Sequence, residues 1–234
     1  MTGPAAFELR SVFAGPSDAP ILRDVTVDLP ARGVTAVAGP SGSGKSSLLR
    51  LLNRLDEPVS GDVSWQGRNL HDWSPTELRR QVGMVFQRPP IFRGTVRDNL
   101  RVASSSLDDV RAAAVMGDAN LPVELLDADA STLSGGEAQR MCFARALLTE
   151  PRVVLADEPT AALDQSATGS IERLGRTLAD AGVAVIWVTH DTGQLRRIAD
   201  HVLALVDGRV ASFGHLPELD VHDDPIVRRI VGAA

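Results

Sequence analysis

Residues 39–46, Gly39-Pro40-Ser41-Gly42-Ser43-Gly44-Lys45-Ser46, follow the pattern G-x-x-x-x-G-K-S/T. An apolar run at 34–38 precedes the loop, and Leu48, Leu49, Leu51, Leu52 and Leu55 recur at helical spacing after it. The loop therefore joins a strand to an amphipathic helix, the context that gives the pattern its meaning. Its glycines allow backbone N–H groups to turn inward on an anion, and the helix N-terminus adds positive partial charge. Lys45 is placed to reach the β- and γ-phosphates of a nucleotide, and the Ser46 hydroxyl to ligate Mg²⁺. Alone, the loop specifies only a nucleoside triphosphate site.

The elements around it read as an α/β chain. Strands are expected at 7–12, 25–29, 34–38, 62–66 and 82–86. From about 89 to 148 the character is helical, clearest at 107–116, with Ser106 as the expected cap, and at 137–148. A continuous apolar run at 153–156 fits a strand buried on both faces. A helix through Ile171, Leu174 and Leu178, a strand at 183–188, a helix at 194–199 and a strand at 202–206 then alternate. Such alternation implies a parallel sheet wrapped by helices, with the helical block after Phe86 inserted into it. Beyond Phe213 the signals are weak, and His222-Asp223-Asp224 reads as a solvated tail.

Composition removes several classes. The 234 residues carry a net charge of −6, against a protein that coats nucleic acid. The single cysteine, Cys142, excludes an internal disulfide framework and fits a reducing compartment. No run approaches the roughly 20 apolar residues that span a bilayer, and the start has no charged segment leading into an apolar one. A cytoplasmic location is expected, with membrane contact only through a partner. Lys45 is the only lysine in a chain whose other cations are all arginine. A compact ammonium is kept where a planar guanidinium would fit poorly.

Two further constellations carry chemistry. Val153-Val154-Leu155-Ala156 runs into Asp157-Glu158, which sets two carboxylates at the end of a buried strand. Asp157 is suited to hold Mg²⁺, directly or through water, and Glu158 to polarise an attacking water as general base. Leu133-Ser134-Gly135-Gly136-Glu137 opens the helix that carries Gln139, Arg140 and Phe143. A serine hydroxyl and glycine amides at a helix start form an anion site.

Taken together, the loop at 39–46, LSGGE at 133–137 and VVLADEPTAALD at 153–164 resemble the ABC ATPases. Gln87 matches that family's Q-loop and His190, in Val188-Thr189-His190-Asp191, its switch histidine. The likeness runs from about residue 7 to 210. It implies a P-loop NTPase core with a mostly parallel sheet, an N-terminal antiparallel β subdomain and an inserted helical signature subdomain. The single domain would span 1–234, with the nucleotide-binding core at about 1–87 and 150–234 and the helical subdomain at about 88–149.

The same resemblance implies a head-to-tail dimer with two ATP molecules at its interface. Gly39, Pro40, Ser41, Gly42, Ser43, Gly44, Lys45, Ser46 and Ser47 would hold the nucleotide of one copy. Ser134, Gly135, Gly136 and Glu137 of the other would meet its γ-phosphate. Ser46, Gln87 and Asp157 would surround Mg²⁺, Asp164 would communicate across the dimer, and His190 would orient Glu158 and the water. Family members stack an aromatic on adenine where this chain has Pro16; Phe13 is the nearby substitute. A separate transmembrane permease is the expected partner, touched by the segment from Gln87 to Leu100. That segment looks nearest to the ATPases of iron exporters and plant aluminium-tolerance transporters, then to phosphate importers. A non-transport ABC ATPase that signals mechanically to a membrane protein is the other class; translation types with two cassettes and repair types with long insertions fit less well.

Overall fold

A computed structural model describes residues 5–233. Strands β1 (Ala5–Ala14) and β2 (Leu22–Pro30) pair antiparallel, and a chain reversal then leads to β3 (Val34–Ala38). In β2, buried and exposed residues alternate, the pattern of a strand with one face on the core. In β3 every residue is buried, as a central parallel strand requires.

Helix α1 (Lys45–Leu52) follows the glycine-rich loop. Then come β4 (Ser60–Trp65), β5 (Arg68–Asn69), α2 (Pro75–Gln81) and β6 (Val82–Val85). The order β2-β1-β4-β5 makes the antiparallel N-terminal sheet expected from the resemblance. The helical stretch consists of α3 (Val96–Arg101), α4 (Asp109–Asp118) and α5 (Gly135–Leu147). After it come β7 (Val153–Asp157), α6 (Gln165–Asp180), β8 (Ala184–Val188), α7 (Thr192–Ile198), β9 (His201–Val206) and β10 (Arg209–His215). Two short helices close the described chain, α8 (Leu216–Asp220) and α9 (Pro225–Val231).

The second sheet runs β10-β9-β3-β8-β7-β6, parallel from β9 to β6, with β10 antiparallel at one edge. Alternate residues feed opposite faces. Val153, Leu155, Ile186 and Val188 join Leu48, Leu49, Leu51 and Leu52 of α1 and the antiparallel sheet. Val154, Ala156, Val185 and Trp187 instead join Phe143, Met141 and Ile171 of the helical side. Each fully buried leucine of α1 contributes about 1.5–3 kcal/mol, so α1 is held by its packed face.

Two expectations are corrected. Asp108, not Ser106, caps α4: its carboxylate accepts from Arg111 N at 2.7 Å. Leu107 and Ala112, on either side of the cap, sit in one core cluster and fix the entry of the chain. Residues 222–224 are also no solvated tail. Asp224 caps α9 by accepting from Ile226 N at 2.8 Å, and His222 Nδ1 accepts from Asp224 N at 3.1 Å. Among the described residues no helix is long and apolar enough to cross a membrane.

Candidate functional site

Four loops leave the carboxyl ends of parallel strands beside one another: Gly39 after β3, Gln87 after β6, Glu158 after β7 and His190 after β8. Ligands of parallel α/β sheets bind at this edge. Gly39 has φ of +156°, and a Cβ there would stand 2.0 Å from the Leu205 carbonyl oxygen on β9. Gly44, at φ of +99°, is the N-cap of α1 without a side-chain cap, so the first amides of the helix stay open to an anion.

Lys45 is buried and donates to the Gly39 carbonyl at 2.9 Å and the Pro40 carbonyl at 2.8 Å. Burial pulls its pKa down, against the opposing pull of Glu158 and Asp157. Ser43 is buried too, and its Oγ has no hydrogen-bond partner among the described residues. An orphaned hydroxyl, a lysine held only by carbonyls and an uncapped helix make a cradle that fits phosphate oxygens. Ser41 and Gly42 are exposed at the loop tip, and Ser47 is half-buried on the first turn of α1.

Ser46 Oγ donates to Asp157 Oδ1 at 2.9 Å. Burial pushes the Asp157 carboxyl up, the Ser46 hydrogen bond draws it down, and the negative charge of Glu158 adds to the rise. A hydroxyl and a carboxylate in contact are the hard oxygen donors that Mg²⁺ takes, and the ion would relieve the repulsion between the two acids.

Glu158 sits at φ of +42°. A left-handed residue without a glycine costs on the order of 1–3 kcal/mol and persists where its surroundings impose it. The turn brings Glu158 Oε2 to 3.4 Å from Gln87 Nε2, which donates to it, and to 3.3 Å from His190 Nδ1. Gln139 of α5, 2% exposed, donates to the Phe86 carbonyl at 3.0 Å and so fixes the backbone just ahead of Gln87.

A cleft of about 540 Å³ is lined by Gly39, Pro40, Ser41, Lys45, Glu158 and His190, and also by Arg229 and Ile230 of α9. The α9 wall was missed in the sequence. Asp224-Pro225, a cap and a proline at the first helical position, and Gly232, left-handed at φ of +73°, are the signals that mark that helix. Phe13 lies in β1 opposite Ser60, half-buried, and Pro16 is exposed. Two apolar side chains stand beside Gly44: the buried Leu22, its Cδ2 2.6 Å from where a Gly44 Cβ would stand, and Ile21, 42% exposed, its Cγ2 3.4 Å from that point.

The remaining predicted residues gather elsewhere. Ser134 caps α5 and accepts from Glu137 N at 3.3 Å, while its own N and Oγ donate to Glu137 Oε2 at 2.8 and 2.7 Å. Those bonds hold the Glu137 carboxyl below the usual range. Asp164 caps α6, accepting from Ala167 N at 2.9 Å. A Cβ on Gly136 would come 2.9 Å from Ala167 Cβ, so the two helix starts abut. Ser134, Gly135, Gly136 and Asp164 line a cleft of about 480 Å³, and no residue of it lines the phosphate cleft.

The model of a family described as ABC transporter matches residues 22–161. Protein STAR1 of Oryza sativa subsp. japonica is 43% identical over 216 residues, 90% of this chain and 62% of that protein. The chain thus spans less than two thirds of that relative. Phosphate import ATP-binding protein PstB 2 of Mycobacterium tuberculosis is 40% identical over 231 residues, 92% of this chain and 82% of that protein. Among solved structures, a dimeric post-hydrolysis state of the ATP-binding cassette MJ0796 bound to ADP and Pi superposes with a TM-score of 0.78 at 28% identity, covering 89% of this chain and 98% of that one.

Proposed function

This chain belongs to the ABC transporter family, and we propose that it is an ATP-hydrolysing subunit that drives a separate transmembrane permease. The observation that carries the reading is the division of one catalytic set between two clefts. The phosphate loop, Asp157, Glu158, Gln87 and His190 stand together, while Ser134, Gly135 and Gly136 line a different cleft of the same chain. Two copies placed head to tail bring the second set onto the nucleotide held by the first.

In this reading Gly39–Ser47 backbone amides and Lys45 bind the triphosphate. Ser46 and Asp157, with Gln87 nearby, would hold Mg²⁺, which supplies charge neutralisation at the β- and γ-phosphates when bound. Lys45 leaves its two carbonyl partners for phosphate oxygens. Glu158 accepts the proton of the attacking water, and His190 and Gln87, which already converge on Oε2, hold the carboxylate and water in line. Ser134 exchanges its bond to Glu137 for one to the γ-phosphate of the other copy. Phosphoryl transfer needs positioning and charge neutralisation above all, so hydrolysis waits for closure, and closure moves whatever is docked.

Residues 1–87 and 150–234 form the nucleotide-binding core in this proposal, and 88–149 the helical subdomain. Permease contact falls on the segment after Gln87, where Ile91 and Phe92 are 41% and 47% exposed. That contact would place the chain on the cytoplasmic face of a membrane. The permease is assigned to the iron-exporter or aluminium-tolerance type, with phosphate import as the second reading on the strength of the PstB 2 likeness. Size-exclusion chromatography of Glu158→Gln with Mg²⁺ and ATP tests the dimer, and affinity purification from the native cell tests the partner. A monomer at saturating ATP, or recovery of ribosomes or DNA without a polytopic membrane protein, refutes the reading.

A further inference from the structure

Glu158 and His190 also line a smaller cavity of about 220 Å³, together with Thr160 and Gln194 of α7. Gln194 is 2% exposed and its amide is fully engaged. Its Nε2 donates to Thr160 Oγ1 at 2.9 Å and to Glu172 Oε1 at 3.1 Å, and its Oε1 accepts from Trp187 Nε1 at 3.0 Å. Its backbone N donates to Asp191 Oδ1 at 3.0 Å. One side chain therefore joins the turn just past Glu158, the strand that leads into His190, and α6.

Two of these partners, Trp187 and Glu172, are not free to follow Gln194 if it moves. Trp187 is wholly buried, and a Cβ on Gly175 of α6 would stand 2.7 Å from its Cζ3, so the ring is already against that helix. Glu172 is held by Arg197 through bonds of 2.9 and 2.7 Å. Rotating the amide would strand a buried indole N–H and its own donors together. The weak point is the Thr160 end, since Thr160 is half-buried on a turn that carries Glu158 in a left-handed conformation.

We propose that Gln194 is a positioning residue that, through Thr160 Oγ1, locks the turn of Glu158 to the strand and helix that carry His190. Base and switch histidine then move as one body when the dimer closes. The inference rests on the roles given above to Glu158 and His190.

Thr160→Val in the full chain tests it, since valine keeps the shape, removes the acceptor and leaves Gln194 its bonds to Trp187 and Glu172. The turnover number for Mg-ATP should fall by about ten- to a hundred-fold, the loss expected of a misplaced catalytic group. KM and the dissociation constant of a fluorescent ATP analogue should stay within about two-fold, the split that marks a transition-state effect. The melting temperature should hold, and Thr160→Ser should restore turnover. Unchanged turnover in Thr160→Val overturns the proposal, as does a loss matched by weaker nucleotide binding or lower melting. A Glu158→Gln control that keeps wild-type turnover would instead place the fault in the assignment of the base.

Discussion

Replacing Gly39 with alanine tests whether the phosphate loop is shaped by close approach to β9. The added Cβ would meet the Leu205 carbonyl oxygen at 2.0 Å and Ser43 Oγ at 2.9 Å. An ordinary carbon–oxygen contact needs about 3.3 Å, so loop and strand must part by more than about 1 Å. Leu205 is fully buried in the sheet, and Gly208 N just beyond it donates to the Ser43 carbonyl at 3.2 Å, so the strand cannot retreat alone. Overpacking costs about 1–3 kcal/mol and a left-handed L-residue about 1–2 kcal/mol. Together that is about 2–5 kcal/mol, or roughly 4–20 °C of melting temperature for a chain of this size. A loop displaced by about 1 Å also loses about a hundred-fold in turnover. Thermal melts and steady-state hydrolysis give both quantities. A Gly39→Ala protein that melts and hydrolyses like the parent would refute the reasoning.

Other perturbations separate the parts of the site. Lys45→Ala should abolish measurable hydrolysis yet fold, because among the described residues Lys45 bonds only two backbone carbonyls; a turnover assay beside a circular dichroism spectrum checks it. Ser134→Ala should cost about 1 kcal/mol through loss of its cap, seen as a small drop in melting temperature, and should reduce hydrolysis far more than that drop explains. Acid should weaken the clamp under the site. Burial raises the Glu172 carboxyl, but the bonds from Arg197 and Gln194 outweigh it and leave the pKa depressed. Its stabilising contribution is therefore complete above the ordinary glutamate range and is lost as pH falls through the depressed value. Glu172→Gln should show a shallower acid decline in melting temperature than the parent.

What the sequence disclosed is what local pattern encodes. Val34–Ala38, the loop and the leucines of α1 are contiguous, so strand, turn and helix follow from spacing alone, and the strands ending at Asp157 and Val188 are marked by unbroken apolar runs. The proximity of Glu158, Gln87 and His190 needed the family likeness, because it depends on strand order rather than on distance along the chain. Four features stayed hidden because packing, not local pattern, decides them. Arg229 and Ile230 reach the phosphate cleft only because Val227 and Val231 dock α9 on Ala36, Ala38 and Leu195. Gln194 looks like an ordinary polar helix residue until Trp187, Thr160 and Glu172 surround it. Ser106 and Asp108 are both good caps by composition, and burial of Leu107 between them selects the second. Phe13 is the aromatic nearest the expected adenine contact, yet Leu22 and the exposed Ile21 are the side chains next to Gly44, because the chain returns from β1 to β2 past the start of α1.

The claim on which the rest depends is that one triphosphate is gripped by two copies of this chain. Crystallising Glu158→Gln with Mg²⁺ and ATP and measuring from Ser134 Oγ of one copy to the γ-phosphate on the phosphate loop of the other decides it. A separation of about 3 Å, that of a hydrogen bond, is the predicted result. Ser134 directed at solvent in a closed dimer, or at the nucleotide of its own chain, would contradict the account.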